Sequence, residues 1–195
     1  MKLRHPVYFI RHGQTDWNKA RRFQGHADIP LNDIGRAQAA RNGQTIKTDI
    51  SDVSRFKFYV SPLSRARETL EIIRTALKLP VKRYMVDDRL IEIDLGDWNG
   101  KTPDEINNET PEIFETREKD KWNFEVPGGE SYANAAGRTR EFLLGLDSPA
   151  IVVGHGASGR LLRGYLGPWK RDEVAHLPAR QDVVYKLDKS REIEL

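Results

Sequence analysis

The sequence predicts an α/β sandwich with a largely parallel central sheet. Three short runs that are apolar and rich in β-branched or aromatic residues are typical of buried strands, and they lie at residues 7–10, 56–60 and 150–153. A helix-like stretch follows each run, and strands that alternate with helices indicate a parallel sheet. The chain has 195 residues, enough for one well-cored domain, so we expect a single domain over residues 1–195.

The helix after the second strand has clear signals at its start. Ser61 and Pro62 have the residue types of an N-cap and of a first helical position. Apolar residues then recur at helical spacing, at Leu63, Ala66, Leu70, Ile73 and Leu77. Further helices are predicted at residues 32 to about 48, 131 to about 146 and 154–166, and a late strand at residues 183–187.

The segment of residues 100–126 departs from this alternation of strands and helices. Thr102-Pro103-Asp104-Glu105 has the form of a capping box with proline at the first helical position, and Thr110-Pro111-Glu112 begins a second short helix. We interpret the segment as a helical insert that covers the active site as a lid and returns through residues 127–129. A solvated helical hairpin without functional contacts is the alternative, and the sequence leaves both open.

Composition and charge argue against several classes of function. Thirty-two Lys and Arg stand against 29 Asp and Glu, and the two signs are interleaved without a polybasic block, so we expect no nucleic-acid surface. No window approaches the length of a membrane span, and residues 1–6 contain no extended apolar signal region. The absence of cysteine excludes disulfides and thiolate chemistry. We expect a cytoplasmic protein without membrane association.

Charged and titratable residues follow all three predicted strands. In an open α/β sheet, ligands bind outside the carboxyl ends of the strands. These ends carry Arg11-His12-Gly13, Ser61-Pro62-Leu63-Ser64-Arg65 and Gly154-His155-Gly156. If the strands are parallel neighbours, two histidines and two arginines converge, and the three glycines, Gly156 among them, let a ligand approach the backbone. Because guanidinium groups bind phosphate oxygens bidentately, we expect a phosphate ligand.

A neutral histidine beside a bound phosphate can attack phosphorus through one ring nitrogen, provided that the other nitrogen donates to a carbonyl group. His12 is the better candidate for this nucleophile, because the charges of Arg11 and Arg65 would disfavour its protonated form. His155 would then donate to the phosphoryl oxygens and share the charge of the transition state. Such a site needs no metal, and the five histidines show no metal-ligand spacing.

The departing alkoxide requires a proton, and residues 87–100 offer several carboxylates. Glu92 lies between Ile91 and Ile93, so a partly apolar pocket that faces a phosphate dianion would raise its pKa into a useful range for a general acid. Spacing alone does not choose Glu92 over Asp94.

The chain closely resembles the histidine phosphatase superfamily, also called the phosphoglycerate mutase-like family. The opening Arg11-His12-Gly13-Gln14-Thr15 with Trp17-Asn18 matches the signature of that family. Further pieces match in order, at Arg22, Gln24-Gly25, residues 28–31, Gly35, and residues 61–66, 90–92, 96–100, 127–131 and 152–156. The resemblance extends from residue 8 to about residue 160.

The resemblance implies both a fold and a site. The family fold is a three-layer α/β/α sandwich whose central sheet is mostly parallel. The implied site comprises His12 as the carrier of a phosphohistidine, Arg11, Arg65 and His155 as phosphate ligands, Glu92 as proton donor and later base, and Asn18, Gln24 and Gly25 as pocket lining. Gln181 matches a loosely kept family position near the pocket, whereas we expect a capping or turn role for His26 and Asp28.

Members of the family divide between phosphatases and mutases, and this sequence favours a phosphatase. Mutases resemble one another in a tyrosine three residues beyond the acid glutamate, in two adjacent arginines in the insert, and in an asparagine two residues after the second histidine. The corresponding residues here are Leu95, a single Arg117 and Ala157. We therefore expect neither a bisphosphate cofactor nor a metal.

Two alternatives remain beside the phosphatase: a cofactor-dependent phosphoglycerate mutase, and a protein that binds phosphorylated ligands without turnover. The expected partner is a small phosphorylated substrate. Sugar phosphates, phosphoglycerates, α-ribazole phosphate and phosphohistidine on a protein all stay open. Because small members of the family are often dimers, a homodimer is compatible with the resemblance.

Overall fold

The computed structural model describes residues 5–195. Residues 1–4, which belong to the stretch 1–6 for which the sequence predicts no signal region, lie outside the described residues. The strands are Val7–Arg11 (β1), Lys57–Val60 (β2), Met85–Val86 (β3), Ala150–Gly154 (β4), Val184–Asp188 (β5) and Arg191–Glu194 (β6). They form one sheet in the order β3-β2-β4-β1-β5-β6.

The three strands that the sequence predicts are parallel neighbours in this sheet. β4 lies between β1 and β2, with Arg11 opposite Gly154 and Val60 opposite Val153. β3 continues the parallel part beside β2, whereas β5 and β6 are antiparallel. The prediction of a mostly parallel sheet is confirmed, and the carboxyl ends of β1, β2 and β4 meet at one edge.

Helices cover both faces of the sheet. They are Asp16–Lys19 (α1), Asp33–Asp49 (α2), Ser64–Ala76 (α3), Pro103–Glu109 (α4), Pro111–Lys119 (α5), Tyr132–Leu144 (α6), Gly156–Leu166 (α7) and Arg171–Val174 (α8). Tyr8 and Ile10 of β1 face the core beneath α2 and α3, while Val7 and Phe9 face the core beneath α6 and α7. The protein is therefore a three-layer α/β/α sandwich. Within residues 5–195, no helix is both long and apolar enough to cross a membrane.

Two predicted helix starts are wrong. α3 begins at Ser64 with Leu63 at its N-cap, because the N–H of Ser61 still donates to the Val153 carbonyl at 3.1 Å and so prolongs the sheet. The helix predicted from residue 154 begins at Gly156, because Gly154 is the last residue of β4. In both cases the backbone pairing of the sheet continues one residue beyond the apolar run.

The strands β3 and β6 are absent from the sequence prediction for different reasons. β3 has only two residues, too few to show a period. β6 has charged side chains at three of its four positions, namely Arg191, Glu192 and Glu194. An edge strand with such a composition does not carry the apolar pattern of a core strand.

The insert of residues 100–126 contains α4 and α5, and α4 begins with the predicted capping box of Thr102 and Glu105. Arg22, two residues before Gln24, binds the Glu105 carboxylate at 2.7 and 3.0 Å and donates to the Gly100 carbonyl at 2.6 Å. The Arg117 guanidinium of α5 lies 5.6 Å from the Phe23 ring. The insert is therefore joined to the residues that precede Gln24, and its role as a lid stays a prediction.

A buried ion pair attaches the last strand to α7. Arg163 donates to both Glu192 oxygens, at 3.0 and 2.5 Å, and the Trp169 indole N–H donates to the same carboxylate at 3.1 Å. The two charged side chains are only 2% and 8% exposed. The Arg163 guanidinium also lies 3.8 Å from the centre of the Tyr185 ring. Removal of the carboxylate would leave a buried cation without its counterion.

We expect Glu192→Ala to lower the free energy of unfolding by about 3–5 kcal/mol, the usual effect of breaking a buried pair from one side. Glu194→Ala is the matched control, because Glu194 is 42% exposed and lies 3.5 Å from Arg180; we expect a loss below about 1 kcal/mol. Urea denaturation of both variants measures the difference. Equal effects would show that the Arg163 pair does not stabilise this edge.

Candidate active site

The ends of β1 and β4 bring the two predicted histidines together. The N–H of His12 donates to the Gly154 carbonyl at 2.9 Å, and the ring centroids of His12 and His155 are 5.1 Å apart. Both residues are buried, with 2% and 0% exposure. Adjacent parallel strands thus place residues more than 140 positions apart in one small volume.

The hydrogen bond of His12 fixes which ring nitrogen can react. Nδ1 lies 2.7 Å from the Gly13 carbonyl oxygen. Because a carbonyl oxygen only accepts, Nδ1 carries the proton and Nε2 keeps its lone pair. Burial, together with the charges of Arg11 and Arg65, lowers the pKa of His12 well below its usual 6.5. His12 is therefore a neutral imidazole with a free lone pair on Nε2.

Two arginines flank the histidines, and of these Arg65 is buried and Arg11 is half-buried. Arg65, which is 1% exposed, donates to the Gly25 and Ala27 carbonyls at 2.8 and 2.6 Å. Arg11 donates to the Ala179 carbonyl at 2.6 Å. Burial and the nearby charge of Arg160 lower the pKa of Arg11 to about 10. Both guanidinium groups are thus held in place by backbone carbonyls and remain charged at neutral pH.

His155 is oriented by the serine that follows β2. Its Nε2 lies 2.6 Å from the Ser61 hydroxyl oxygen. Burial and the charges of Arg65 and Arg11 lower the pKa of His155 well below 6.5. Ser61 thus positions His155. The sequence predicted that Ser61 would cap α3, and this prediction is wrong. Asp28 takes the capping role, because its carboxylate accepts from the N–H of Ser64 at 2.9 Å.

Three buried nitrogen atoms of this site have no hydrogen-bond partner within the described part of the protein: Arg11 Nε, Arg65 Nε and His155 Nδ1. Buried polar groups are almost always paired, because leaving one unpaired costs about 1–3 kcal/mol. Two of the atoms belong to cations, and a cationic N–H group makes its strongest hydrogen bonds to anionic oxygen atoms. A tetrahedral oxyanion such as phosphate presents several acceptor oxygens at once.

We expect the two buried histidines to make stability depend on pH. Each pKa is lowered by folding, so below 6.5 the unfolded chain takes up protons that the folded protein does not bind. The free energy of unfolding should fall by about 1 kcal/mol per histidine between pH 6.5 and 5.5. Urea titrations at both pH values measure this fall. In His12→Asn, the fall in the free energy of unfolding between these pH values should be about half of the combined contribution of the two histidines. An unchanged fall would contradict the neutral state of buried His12.

The Glu92 carboxylate lies against the first turn of α7, directly after His155. It accepts from the N–H groups of Ala157 and Ser158 at 3.0 and 3.1 Å, and from its neighbour Ile93 at 3.0 Å. The expectation of a partly apolar pocket is therefore wrong, because a helix N-terminus surrounds the carboxylate with donors. Asp94 turns elsewhere, and its Oδ1 accepts from the N–H of Gly96 at 3.0 Å.

Other predicted pocket residues form a network at the side of His12. The Gln24 side chain accepts from the Thr15 hydroxyl at 3.0 Å. The Asn18 side-chain oxygen accepts from Thr15 N and from Gln181 Nε2, at 3.2 and 2.9 Å. Gln181 also donates to the His12 carbonyl at 3.1 Å. Gln181 thus lies beside His12, whereas Gly25 contributes its carbonyl to Arg65.

The predicted glycines have different neighbours. A β-carbon on Gly13 would lie 2.2 Å from the Gly35 carbonyl oxygen, and one on Gly154 would lie 3.1 Å from Phe9 and Ser158. The absence of a β-carbon at these two positions therefore allows close internal packing, and the approach of a ligand to their backbone stays a prediction. A β-carbon on Gly156 would instead lie 3.4–3.8 Å from Glu92, Arg160 and Arg11, so Gly156 faces the site.

Sequence reasoning missed Arg160 as a neighbour of the site. Its Nη1 is 3.6 Å from the β-carbon position of Gly156 and 3.2 Å from the Tyr132 hydroxyl. Arg160 is four residues after Gly156 on α7, so the helical i, i+4 spacing is the signal that identifies it. Within residues 5–195, no three His, Asp or Glu side chains form a group that could hold a metal ion.

Comparison with known families agrees with this geometry. A family model, the histidine phosphatase superfamily (branch 1), matches residues 7–192. The chain belongs to the histidine phosphatase superfamily. The match extends from the first residue of β1 into β6, so it includes every strand end that contributes to the site of this superfamily member.

Relatives of this histidine phosphatase superfamily member include phosphatases and mutase-like proteins. It is 35% identical to phosphoserine phosphatase 1 of Hydrogenobacter thermophilus over 93% of this chain and 91% of that protein. A phosphoglycerate mutase-like protein of Arabidopsis thaliana is 37% identical over 63% of this chain, and the matched part spans about half of that relative's length. The structure of mycobacterial glucosyl-3-phosphoglycerate phosphatase is similar with a TM-score of 0.82 and 26% identity, covering 98% and 97% of the two chains.

Proposed function

We propose that this protein is a metal-independent phosphomonoester hydrolase that acts on a small phosphorylated metabolite through a phosphohistidine on His12. The observation that carries the proposal is the group of three unpartnered buried nitrogen atoms, Arg11 Nε, Arg65 Nε and His155 Nδ1, around a neutral imidazole. A phosphoryl group seated on these donors would lie beside the free Nε2 of His12.

In the first step, Nε2 of His12 attacks phosphorus while the bond from phosphorus to the ester oxygen breaks. Arg11 and Arg65 balance the charge on the phosphoryl oxygens. The Ser61 hydroxyl donates to Nε2 of His155, which places a proton on Nδ1 for donation to the same oxygens. The hydrogen bond from Nδ1 of His12 to Gly13 stabilises the positive charge that develops on the ring.

Glu92 acts in its protonated form in the first step, in which its carboxyl proton passes to the departing alkoxide. The carboxylate that remains takes a proton from the attacking water in the second step, which restores the carboxyl group. Water breaks the bond between nitrogen and phosphorus in this second step, and His12 returns to its neutral state. The backbone donors of Ala157 and Ser158 hold the carboxylate beside Gly156. One carboxyl group thereby serves both steps without moving away from the site.

The relatives are named both as phosphatases and as phosphoglycerate mutases, so the preference for phosphatase activity rests on full-length matches to phosphatases together with residues of this chain. One curated relative that this chain covers almost entirely is named a phosphoserine phosphatase, and one similar structure is that of a glucosyl-3-phosphoglycerate phosphatase. This chain also departs from the mutase pattern at three places: Leu95 stands in place of the tyrosine, Arg117 has no adjacent arginine, and Ala157 stands in place of the asparagine.

Turnover in the presence of EDTA tests the proposal. The panel comprises p-nitrophenyl phosphate, phosphoserine, and sugar and glycerate phosphates, with and without 2,3-bisphosphoglycerate. We expect release of inorganic phosphate without the bisphosphate and undiminished by EDTA. Isomerisation of phosphoglycerate that depends on the bisphosphate would replace the phosphatase by a mutase. Phosphate binding without turnover would favour a binding protein.

A further inference from the structure

The loop around His26 binds Arg65 and also reaches the segment of Glu92. Gly25 and Ala27 give their carbonyls to the Arg65 guanidinium, at 2.8 and 2.6 Å. His26 lies between them in a turn, as the sequence predicted. Its ring has no part in the proposed steps, and its Nε2 lies 2.8 Å from the Glu92 carbonyl oxygen. His26 therefore joins the loop of Arg65 to the residue proposed as the acid.

The contact with Glu92 orients the His26 ring. Because a carbonyl oxygen only accepts, Nε2 of His26 carries a proton and donates it. On the other side of the ring, Nδ1 lies 3.6 Å from the Asp94 carboxylate, which is beyond hydrogen-bond distance. The bond to the Glu92 carbonyl is therefore the contact that sets the position of the ring. The side chain is 38% exposed, so its replacement leaves no buried cavity.

Glu92 depends on such contacts because its segment has no regular secondary structure. Residues 91–95 belong to neither a helix nor a strand, so no backbone ladder fixes the Glu92 peptide group. Two side chains bind its carbonyl oxygen, His26 at 2.8 Å and Arg138 of α6 at 3.3 Å. Arg138 is also held by both oxygens of Glu130, at 2.5 and 2.9 Å. His26 thus provides the shorter bond to this carbonyl.

Close packing joins the same loop to the residues that follow Glu92. Gly25 has a φ of +46°, and a β-carbon on it would lie 2.5 Å from Asn99 Oδ1 and 2.8 Å from the Leu95 nitrogen. The loop therefore contacts this segment through its backbone as well as through the imidazole. Arg65 and Glu92, which are both held by the loop, are thereby fixed relative to each other.

We propose that His26 is a positioning residue, which holds Glu92 in place for proton transfer and ties it to the loop of Arg65. This inference rests on the proposed function, in which Glu92 is the acid. A misplacement of about 1 Å can lower a rate about a hundredfold. The defect of a variant should therefore appear in proton transfer to the leaving group, whereas phosphate binding by Arg65 should persist.

His26→Leu removes the donor and keeps a side chain of similar size. For the alkyl phosphate that the enzyme hydrolyses fastest, kcat/KM should fall about ten- to hundredfold, as for a misplaced acid. For p-nitrophenyl phosphate it should stay within about threefold, because the phenolate leaves with little protonation. The inhibition constant of inorganic phosphate should also stay within about threefold, because Arg65 keeps its carbonyl partners.

His26→Gln and His176→Leu are the matched variants. The glutamine amide can replace Nε2 of His26 as the donor, so His26→Gln should recover most of the lost kcat/KM. His176 is exposed and lies outside the pocket, so His176→Leu should retain the original values. A similar loss for both esters, or weaker binding of inorganic phosphate that accounts for the loss, would assign His26 to the support of Arg65 and overturn the proposal.

Combination with Glu92→Gln shows whether His26 acts through Glu92. Because residues that act through one group are non-additive, His26→Leu should change kcat/KM for the alkyl ester by less than about threefold in the Glu92→Gln background. A further loss as large as in the original background would overturn the proposal. A Glu92→Gln variant that slows both esters equally would remove the acid of the proposed function and this inference with it.

Nuclear magnetic resonance separates this inference from the proposed hydrolysis. The N–H groups of Ala157 and Ser158 donate to the Glu92 carboxylate, so their resonances report its position without turnover. His26→Leu should shift both resonances, whereas His26→Gln and His176→Leu should leave them near their original positions. If they shift but no ester releases phosphate, the hydrolase proposal fails and the positioning contact stands. If phosphate is released and neither the resonances nor the preference between leaving groups changes, the positioning role fails and the hydrolase stands.

Discussion

Replacement of His12 by alanine is expected to lower kcat/KM for every phosphate ester by at least about 10⁴-fold, as for the loss of a covalent nucleophile. Nε2 of His12 is the only atom to which the proposed first step transfers the phosphoryl group. The substitution removes little core volume, so the fold should persist. Phosphate release and far-ultraviolet circular dichroism measure the two expectations.

His176→Ala is the control for His12→Ala, because His176 is an exposed histidine outside the pocket. It should retain full turnover. Full activity of a folded His12→Ala variant would refute the covalent mechanism. Loss of both activity and circular dichroism would instead show that His12 supports the fold, and the binding of phosphate to a His12→Asn variant then distinguishes the two roles.

Replacement of Glu92 by glutamine should slow the hydrolysis of alkyl phosphates by about 10²–10⁴-fold, the usual contribution of a general acid. p-Nitrophenyl phosphate should be affected far less, because its phenolate leaves with little protonation. The variant also replaces one acceptor oxygen by a donor against the N–H groups of α7. We therefore expect a fall of about 1–3 kcal/mol in the free energy of unfolding.

Asp94→Asn is the matched control for this variant, since spacing alone did not separate the two carboxylates. Asp94 binds the N–H of Gly96 and not α7, so its replacement should affect both types of ester equally. Equal losses on both esters for Glu92→Gln would remove Glu92 from the role of acid. A loss confined to alkyl phosphates in Asp94→Asn would assign that role to Asp94.

The sequence predicted the residues that lie at strand ends because parallel strands impose a shared edge. Arg11, His12 and His155 follow apolar runs. The alternation of strands with helices already indicated that these runs pair in parallel, and the register of β1 with β4 brings the three residues together. The surroundings of Glu92 were not predictable in this way. Its apolar neighbours in sequence suggested an apolar pocket, but the side chain reaches α7, 65 positions away.

Residues that act through long-range contacts were also beyond the sequence. Ser61 has the residue type of an N-cap, and local signals cannot show that the strand continues through it toward His155. The contact of Arg160 Nη1 with the Tyr132 hydroxyl, at 3.2 Å, joins α7 to α6 and is likewise defined only in the folded chain.

The central claim is that the phosphoryl group passes through His12, and trapping of the intermediate tests it most directly. The protein is mixed with a phosphate ester, quenched in base, which preserves phosphohistidine, and mapped by mass spectrometry of its peptides. We expect one phosphoryl group on His12, with a larger trapped fraction in Glu92→Gln if loss of the base slows the attack of water. Turnover of the ester without phosphate on His12, or with phosphate on another residue, would contradict the account.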